Sequence, residues 1–374
     1  MRICFFLIFL LSFGVYQGDV ASGQQRTQQD RFLLVWAGDA DRQQEDFLAV
    51  IDVRSGSPTF GHVIATVPVG SKGNEPHHSM TPSQKSVGGD PAPGGLLEFD
   101  KRGTLLRRIS AQDPQAGDAE ISPYGLALKI DVDRMVTTNS GHGWLPSMNK
   151  MTDGYTVQLW RVSDLKLLRT MKFPTGPRGD ENVAPYEPRF AHARDSQTVF
   201  INTVVGSALY VSTDVAAANP KFHLIYDFGK DSAPGYPLLS HDDRYYLQPL
   251  TSANKIIVLD VRDPLHPKLI SEIRFDRDPV DATQTRVGQP HYLVLDRAER
   301  RAGVSNYTLD LPSFVADGDR RLYLLEFDRR TGELRFDQTF RDELTGAVGV
   351  DFNREVWLHG KTGAARPHGM IFLP

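Results

Sequence analysis

The chain has 374 residues and a formal net charge of −4. This balance excludes the strongly basic surface that attracts nucleic acid, so we expect no nucleic-acid partner. The only cysteine is Cys4, inside the N-terminal apolar segment, so the rest of the chain has no disulfide, no thiolate ligand and no cysteine nucleophile. A soft metal would have to be bound by histidine or methionine.

The N-terminus has the order of a secretory signal, which we place at residues 1–22. A basic residue precedes an apolar stretch from Ile3 to Tyr16, and small residues follow from Val20 to Ser22. The stretch is short for a membrane span, although an uncleaved anchor is the alternative. We therefore predict a periplasmic or secreted protein with no membrane span in the mature chain. Residues 23–30 are predicted to be disordered, and residues 31–374 to form one domain.

Runs of β-forming residues, joined by turns rich in Asp and Gly, recur along that domain and predict six outer hairpins. The hairpins pair residues 47–53 with 62–69, 95–100 with 104–109, 156–162 with 165–173, 208–212 with 222–228, 255–261 with 268–275, and 321–327 with 333–340. Further strand pairs lie between them, at residues 126–138, 190–204, 238–250 and 292–309. One inner pair and one outer hairpin make a four-stranded unit that repeats at the interval of a propeller blade.

The expected fold is therefore all-β, a β-propeller of six or seven four-stranded blades with few helices. Residues 351–374 supply strands without a matching outer hairpin. We predict that this tail pairs with strands near residues 31–37 and closes the ring, because closure buries edges that would otherwise be exposed.

A proline followed by a variable residue stands before most of the predicted inner strands. Proline fixes its own φ and favours extended structure in the residue before it, so each pair marks a strand entrance. If the entrances occupy equivalent points of the repeat, the residues after proline meet at one mouth of the central channel. The pairs are Pro76-His77, Pro123-Tyr124, Pro188-Arg189, Pro234-Gly235, Pro290-His291 and Pro367-His368.

Histidines at these entrances predict a metal site. We expect His77, His78, His291 and His368 to be ligands, with His192 as a further one, because imidazole suits copper, zinc and iron. For any one of them, the alternative is a capping or solvated side chain. Adjacent histidines in a regular strand point to opposite faces, so His77 and His78 can bind one metal only where the strand is irregular.

Two other side chains of the entrance set are expected to act on the substrate. Arg189 could neutralise an anionic intermediate or hold a carboxylate, and an ion pair with Glu187 or with an acid of another blade is an equally good interpretation. Tyr124 could donate a hydrogen bond to bound oxygen or substrate, and ordinary filling of the channel is its alternative.

Three segments near the N-terminus carry a resemblance to a known family. Residues 31–39 (RFLLVWAGD), 46–53 (DFLAVIDV) and 75–79 (EPHHS) resemble the opening of the selenium-binding protein and methanethiol oxidase family. Later segments at residues 188–192, 239–245, 259–268 and 288–291 resemble further blades of that family. The chain departs from the family where the segment after His78 is too short for the next blade, and where Arg366-Pro-His-Gly369 replaces a His-Glu motif.

The resemblance implies an exported copper enzyme with a propeller fold. It implies oxidation of methanethiol by oxygen and water to formaldehyde, hydrogen sulfide and hydrogen peroxide, so the partners would be a small thiol and O2. Copper follows from the resemblance alone, and another transition metal is compatible with the residues. The alternatives are a metal-dependent hydrolase, such as a lactonase, and a non-catalytic metal- or selenium-binding propeller. Fold alone does not decide among them.

Overall fold

The structure is a computed structural model. It describes residues 29–73, 86–90, 95–100, 104–110, 123–139, 155–306, 308–311 and 314–374. The predicted signal, His77 and His78 therefore lie outside the described residues. Within them the regular structure is almost entirely strand, and the single helix is a short 3-10 turn at Ile130–Val132. No described helix has the length and apolar character that a membrane crossing requires.

The strands are numbered in chain order. They are β1 Phe32–Asp39, β2 Phe47–Asp52, β3 Val63–Pro68, β4 Ser86–Asp90, β5 Gly95–Phe99, β6 Leu105–Ser110, β7 Pro123–Lys129, β8 Arg134–Asn139, β9 Thr156–Arg161, β10 Lys166–Lys172, β11 Pro185–Phe190, β12 Val199–Thr203, β13 Ala208–Ser212, β14 His223–Asp227, β15 Leu238–Leu239, β16 Tyr245–Leu250, β17 Lys255–Asp260, β18 Lys268–Arg274, β19 Pro290–Leu295, β20 Arg301–Asn306, β21 Thr308–Leu311, β22 Phe314–Asp317, β23 Arg321–Asp328, β24 Glu333–Phe336, β25 Val350–Asp351 and β26 Ala365–Leu373.

Within the described residues, these strands form six antiparallel sheets of three to five strands. Sheet 1 has the order β26-β1-β2-β3, sheet 2 is β4-β5-β6, sheet 3 is β10-β9-β8-β7, sheet 4 is β11-β12-β13-β14, sheet 5 is β15-β16-β17-β18, and sheet 6 is β19-β20-β23-β24 with β25 on β23. A separate hairpin, β21-β22, interrupts sheet 6 in sequence. Each predicted outer hairpin is present, and the serial up-and-down sheets confirm the predicted all-β propeller class.

The two ends of the domain share sheet 1. Strand β26 pairs antiparallel with β1, from Phe32 opposite Leu373 to Asp39 opposite Ala365. This is the pairing that the sequence predicts for the C-terminal tail. Just before β1, Asp30 is 2% exposed and accepts the backbone N–H of Arg297 at 2.7 Å. The chain is thus anchored to sheet 6 before its first strand begins.

Apolar side chains form the core between successive sheets. One cluster joins sheets 2 and 3 through Leu96 and Trp160, and another joins sheets 6 and 1 through Leu324 and Phe47. Three more clusters lie between sheets 3 and 4, 4 and 5, and 5 and 6. Burial between sheet faces explains why the strands carry apolar residues on both sides.

Buried polar side chains join neighbouring sheets at the end where the first strands begin. Each lies on or directly after the second strand of one sheet and donates to a backbone carbonyl of the next. The pairs are Thr138 to Tyr186 at 2.5 Å, Asn202 to Gly235 at 2.8 Å, Thr251 to Pro290 at 3.0 Å, and Ser305 to His368 at 2.8 Å. The four bonds hold the first strands of sheets 4, 5, 6 and 1 against the preceding sheet at the same end.

Candidate functional site

The strand entrances occupy equivalent points of the repeat. A proline lies opposite the end of the second strand in the pairs Pro123–Asn139, Pro185–Thr203, Pro234–Leu250 and Pro290–Asn306, and Pro367 lies opposite Ala37 in sheet 1. In β7, β11, β19 and β26 the register shifts immediately after the proline. Such bulges redirect the side chain that follows. The aligned residues are Tyr124, Tyr186, Gly235, His291 and His368.

The alignment corrects one prediction about the repeat. The sequence suggests that Pro188-Arg189 is the entrance of sheet 4, but Pro185 is the residue opposite Thr203 and Arg189 lies further along β11, opposite Phe200. Two prolines stand three positions apart here, and only the strand register distinguishes them. Tyr186 is therefore the entrance residue, which sequence reasoning missed.

His291 and His368 meet at their entrances, as the repeat predicts. Their rings stack with centroids 5.1 Å apart and planes inclined by 22°. Both residues are buried, at 6% and 7% exposure. The hydroxyl of Thr251 lies 3.2 Å from Nδ1 of His291 and fixes the orientation of that ring.

A full set of metal ligands is not assembled from the described part of the chain. Among those residues, no group of three or more His, Asp, Glu or Cys side chains is close enough to hold a metal ion. To bind a metal, His291 and His368 would therefore need further ligands from residues outside the described part of the chain. His77 and His78, which precede sheet 2 in sequence, are the predicted ones. A hydrogen bond on one imidazole nitrogen is typical of histidines that bind metal through the other, which fits the contact between Thr251 and His291.

Tyr124 and Tyr186 form a second stacked pair, between sheets 3 and 4. The ring centroids are 4.7 Å apart, and the two hydroxyl oxygens are 2.9 Å apart. Burial and the nearby charge of Glu187 raise the pKa of Tyr124. Tyr124 is thus a neutral phenol within hydrogen-bond distance of the Tyr186 hydroxyl, which suits it to donate a hydrogen bond at physiological pH.

Glu187 is the candidate residue that the sequence gives least reason to choose. It lies in the bulge of β11, is 2% exposed, and its backbone N–H donates to Asn202 at 2.8 Å. Burial raises the pKa of its carboxyl to about 7, and the neighbouring Arg189 only partly offsets this effect. A carboxyl that titrates near neutral pH can both accept and release a proton under physiological conditions.

Arg189 is held rigidly beside this carboxyl. Its Nη1 lies 3.3 Å from Oε2 of Glu187, and its Nε donates to the carbonyl of Pro237 at 2.9 Å. The guanidinium carbon lies 3.9 Å from the ring centroid of Tyr236. The ion pair with Glu187, which was the alternative interpretation of Arg189, is therefore present.

A series of aromatic rings lies between the Glu187–Arg189 ion pair and the histidine pair described above. Tyr236, under Arg189, stacks on Tyr292 with centroids 4.3 Å apart. The ring of Tyr292 lies 5.8 Å from that of His368. The backbones at Gly235 and His291 can approach this closely because Gly235 has no side chain. A Cβ there would lie 2.4 Å from the carbonyl oxygen of His291.

The structure places His192 elsewhere. It follows the far end of β11, about 20 Å of extended chain from Tyr186. Its Nδ1 lies 2.9 Å from Asp243, whose carboxylate also accepts the backbone N–H groups of His192 and Ala193. His192 thus belongs to the contacts between the turns of sheets 4 and 5, and the structure does not bring it to His291 and His368. Sequence alone does not show at which end of a strand a histidine lies.

A groove with a volume of about 470 Å³ lies away from this site, between the outer strands β10 and β14. Its lining includes Arg169, Lys172, Lys221 and Phe222. None of the predicted site residues lines it.

Comparison with known proteins supports the fold. No protein-family model and no curated protein matches the sequence. A hypothetical selenium-binding protein from Sulfolobus tokodaii is 15% identical, with 93% of this chain and 94% of that chain covered and a TM-score of 0.71. The periplasmic gluconolactonase of Pseudomonas aeruginosa is 16% identical, with 92% and 99% covered and a TM-score of 0.53.

A third structure is a putative 6-phosphogluconolactonase from Bacteroides uniformis. It is 13% identical, with 92% of this chain and 100% of that chain covered and a TM-score of 0.50. At these identities the shared feature is the fold. The chain is a β-propeller whose structural neighbours include a hypothetical selenium-binding protein, a periplasmic gluconolactonase and a putative 6-phosphogluconolactonase.

Proposed function

We propose that the chain is a metal-dependent hydrolase that opens a small ester or lactone at the mouth formed by the strand entrances. The observation that carries the proposal is Glu187, a buried carboxyl with a pKa of about 7, at the same end of the sheets as the pair His291 and His368. General-base catalysis is most effective when the base titrates near the working pH.

Three side chains of the candidate site have roles in this reaction. Glu187 takes a proton from the attacking water and later returns it to the leaving oxygen. Arg189 stabilises the negative charge that develops on the carbonyl oxygen, because a fixed cation in a buried site interacts strongly with such charge. Tyr124 donates a hydrogen bond to the substrate in its neutral form.

His291 and His368 would hold the metal, with His77 and His78 completing the ligand set. A bound transition metal would polarise the substrate carbonyl or lower the pKa of a bound water. Zinc and copper both suit imidazole ligands.

Lactones are the first substrates to test, because the periplasmic gluconolactonase of Pseudomonas aeruginosa has a similar fold. We would measure hydrolysis of gluconolactone by the exported protein and by its Glu187→Gln and His266→Ala variants. His266 is an exposed turn residue paired with Asp263 and serves as a matched control. We expect kcat/KM to fall at least 100-fold in Glu187→Gln and to be unchanged in His266→Ala.

The pH profile is part of the same test. Activity that needs ionised Glu187 should rise as the pH increases through about 7. Equal turnover in Glu187→Gln and the parent would contradict the proposed base.

A second proposal is copper-dependent oxidation of a small thiol such as methanethiol by O2. The observation that favours it is the imidazole pair His291–His368 in a chain whose one cysteine lies in the predicted signal. Oxygen uptake on methanethiol would be measured on the same protein, exported into copper-supplemented medium. Thiol-dependent uptake without lactone turnover would replace the hydrolase proposal. Bound metal with neither activity would contradict both and favour a metal- or selenium-binding propeller.

A further inference from the structure

The buried guanidinium of Arg189 has a donor that the protein leaves unused. Its Nε and Nη1 donate to the carbonyls of Pro237 and Pro188, and Nη1 also faces Glu187. Its Nη2 is buried and has no hydrogen-bond partner among the described residues. Leaving a buried charged donor unpaired costs free energy, so such a group in a native fold needs an explanation.

Tyr246, on β16, presents a second donor of this kind. The residue is fully buried at 0% exposure, and its hydroxyl has no hydrogen-bond partner within the described part of the chain. Tyr246 pairs with Leu239 in sheet 5, two residues after Pro237, whose carbonyl accepts Nε of Arg189, so Tyr246 and Arg189 lie at the same part of the sheet. Burial raises the pKa of Tyr246, and the charges of Arg189 and Glu187 act on it in opposite directions. A buried tyrosine hydroxyl ordinarily finds a partner.

Two unused donors beside a fixed cation make a site for an acceptor that carries negative charge. Burial opposes the charge of Arg189, but Tyr236, Glu187, Tyr246 and Tyr292 raise its pKa, so it stays cationic. A guanidinium binds carboxylates in preference to neutral oxygens because charge-assisted hydrogen bonds are stronger.

We propose that Nη2 of Arg189 and the hydroxyl of Tyr246 bind the carboxylate of a small organic acid, with the cation held in place by the face of Tyr236. The inference deepens the proposed function and rests on it, because lactone hydrolysis releases a hydroxy acid whose carboxylate this pair would hold. It names the substrate class as a lactone whose opened form is a sugar acid or similar hydroxy acid.

The occupied site changes the charge balance at Glu187. Among the described residues this carboxyl faces Arg189 on its own strand, Tyr124 on β7 and Tyr246 on β16, and Arg189 is the cation of this set. A bound carboxylate competes for that cation, and Glu187 then takes up a proton from solvent. Since the pKa of Glu187 is about 7, binding should weaken up to tenfold for each pH unit above 7 and should be constant below it.

The test is calorimetric titration of the full chain with sodium gluconate, at pH 6 and pH 8, with neutral sorbitol as the control ligand. Two buffers of different ionisation enthalpy report proton uptake. The variants are Tyr246→Phe and, as matched control, Tyr245→Phe, whose lost hydroxyl donates to the carbonyl of Arg330 at 3.2 Å. Arg189→Lys keeps the charge and removes the forked donor.

We expect gluconate to bind, sorbitol not to bind, and Tyr246→Phe and Arg189→Lys each to weaken gluconate about tenfold. Tyr245→Phe should bind as the parent does, and proton uptake should be present at pH 8 and small at pH 6. A merely structural role for Tyr246 predicts unchanged binding in Tyr246→Phe, and this result would overturn the inference. No binding of gluconate by the parent at either pH would also overturn it.

The inference and the proposed function fail in different ways. Gluconate binding that depends on Arg189 and Tyr246, without hydrolysis of gluconolactone, would leave the carboxylate site standing and contradict the hydrolase. Hydrolysis that responds to Glu187→Gln, without gluconate binding, would leave the hydrolase and contradict the carboxylate site.

Discussion

At the scale of single residues, the proposed site combines three side chains, of which two share a sequence signal. His291 and His368 share the position after an entrance proline, so their meeting could be predicted from the repeat. Glu187 could not be singled out in this way, because its pKa depends on burial inside a bulge that only the strand register reveals. Its sequence signal is an acid between two prolines that lie three residues apart. The same spacing explains why Tyr186 was missed, because the sequence does not show which proline marks the entrance.

The titration of Glu187 predicts how folding stability depends on pH. Burial raises its pKa from an ordinary 4.5 to about 7, so between these values the folded protein holds a proton that the unfolded chain has released. The contribution of Glu187 to the free energy of unfolding is largest below pH 4.5 and falls as the pH rises to about 7. Above that pH it no longer changes, because the carboxyl is ionised in both states. The shift corresponds to about 3 kcal/mol.

Urea denaturation of the parent and Glu187→Gln, at pH values from 4 to 9, checks this expectation. Between pH 4 and 8 the free energy of unfolding of the parent should fall by about 3 kcal/mol relative to that of the variant. Other titrating groups cancel in the difference. A difference that does not change with pH would contradict the raised pKa.

At the scale of elements, the entrances are shaped by a proline, a bulge and a hydrogen bond from the neighbouring sheet. Alternation and turn residues predict the hairpins, because these signals are local. The bonds between sheets are not local: Thr138 on β8 donates to Tyr186 on β11, and Ser305 on β20 donates to His368 on β26. Nothing near Thr138 in sequence indicates its partner, so this layer of the structure could not be predicted.

Thr138→Val should destabilise the protein because it leaves the buried carbonyl of Tyr186 without its donor. We expect a loss of about 1–3 kcal/mol in the free energy of unfolding, measured by urea denaturation. Thr170→Val is the matched control, since the hydroxyl of Thr170 is buried without a hydrogen-bond partner among the described residues. It should cost little. Equal losses in the two variants would show that the bond between sheets contributes nothing.

At the scale of the whole molecule, the repeat brings together residues that are far apart in sequence. The predicted strand pairs and the pairing of the C-terminal tail with the first strand are present in the structure. Sequence could supply this much because every sheet repeats the same pattern. It could not tell the entrance end of a strand from the turn end, so His192 is grouped with the entrance histidines by sequence, whereas the structure places it beside Asp243.

Removal of residues 365–374 should prevent cooperative folding. The deletion strips β26 from β1 and takes Met370 and Phe372 out of the core cluster of sheet 1, leaving an exposed strand edge. Near-ultraviolet circular dichroism and thermal unfolding would show loss of fixed tertiary packing. Removal of Pro374 alone, which lies beyond β26, should leave both signals unchanged. A cooperative transition in the longer deletion would contradict the role given to this strand.

The most direct test of the account is metal content by mass spectrometry on the purified chain, produced in medium that contains zinc and copper. We predict about one transition-metal ion per chain in the parent and in His266→Ala, and its loss in His291→Ala and His368→Ala, with circular dichroism confirming that each variant is folded. Folded His291→Ala and His368→Ala that keep the metal, or a parent that binds none, would contradict a metal site at the strand entrances.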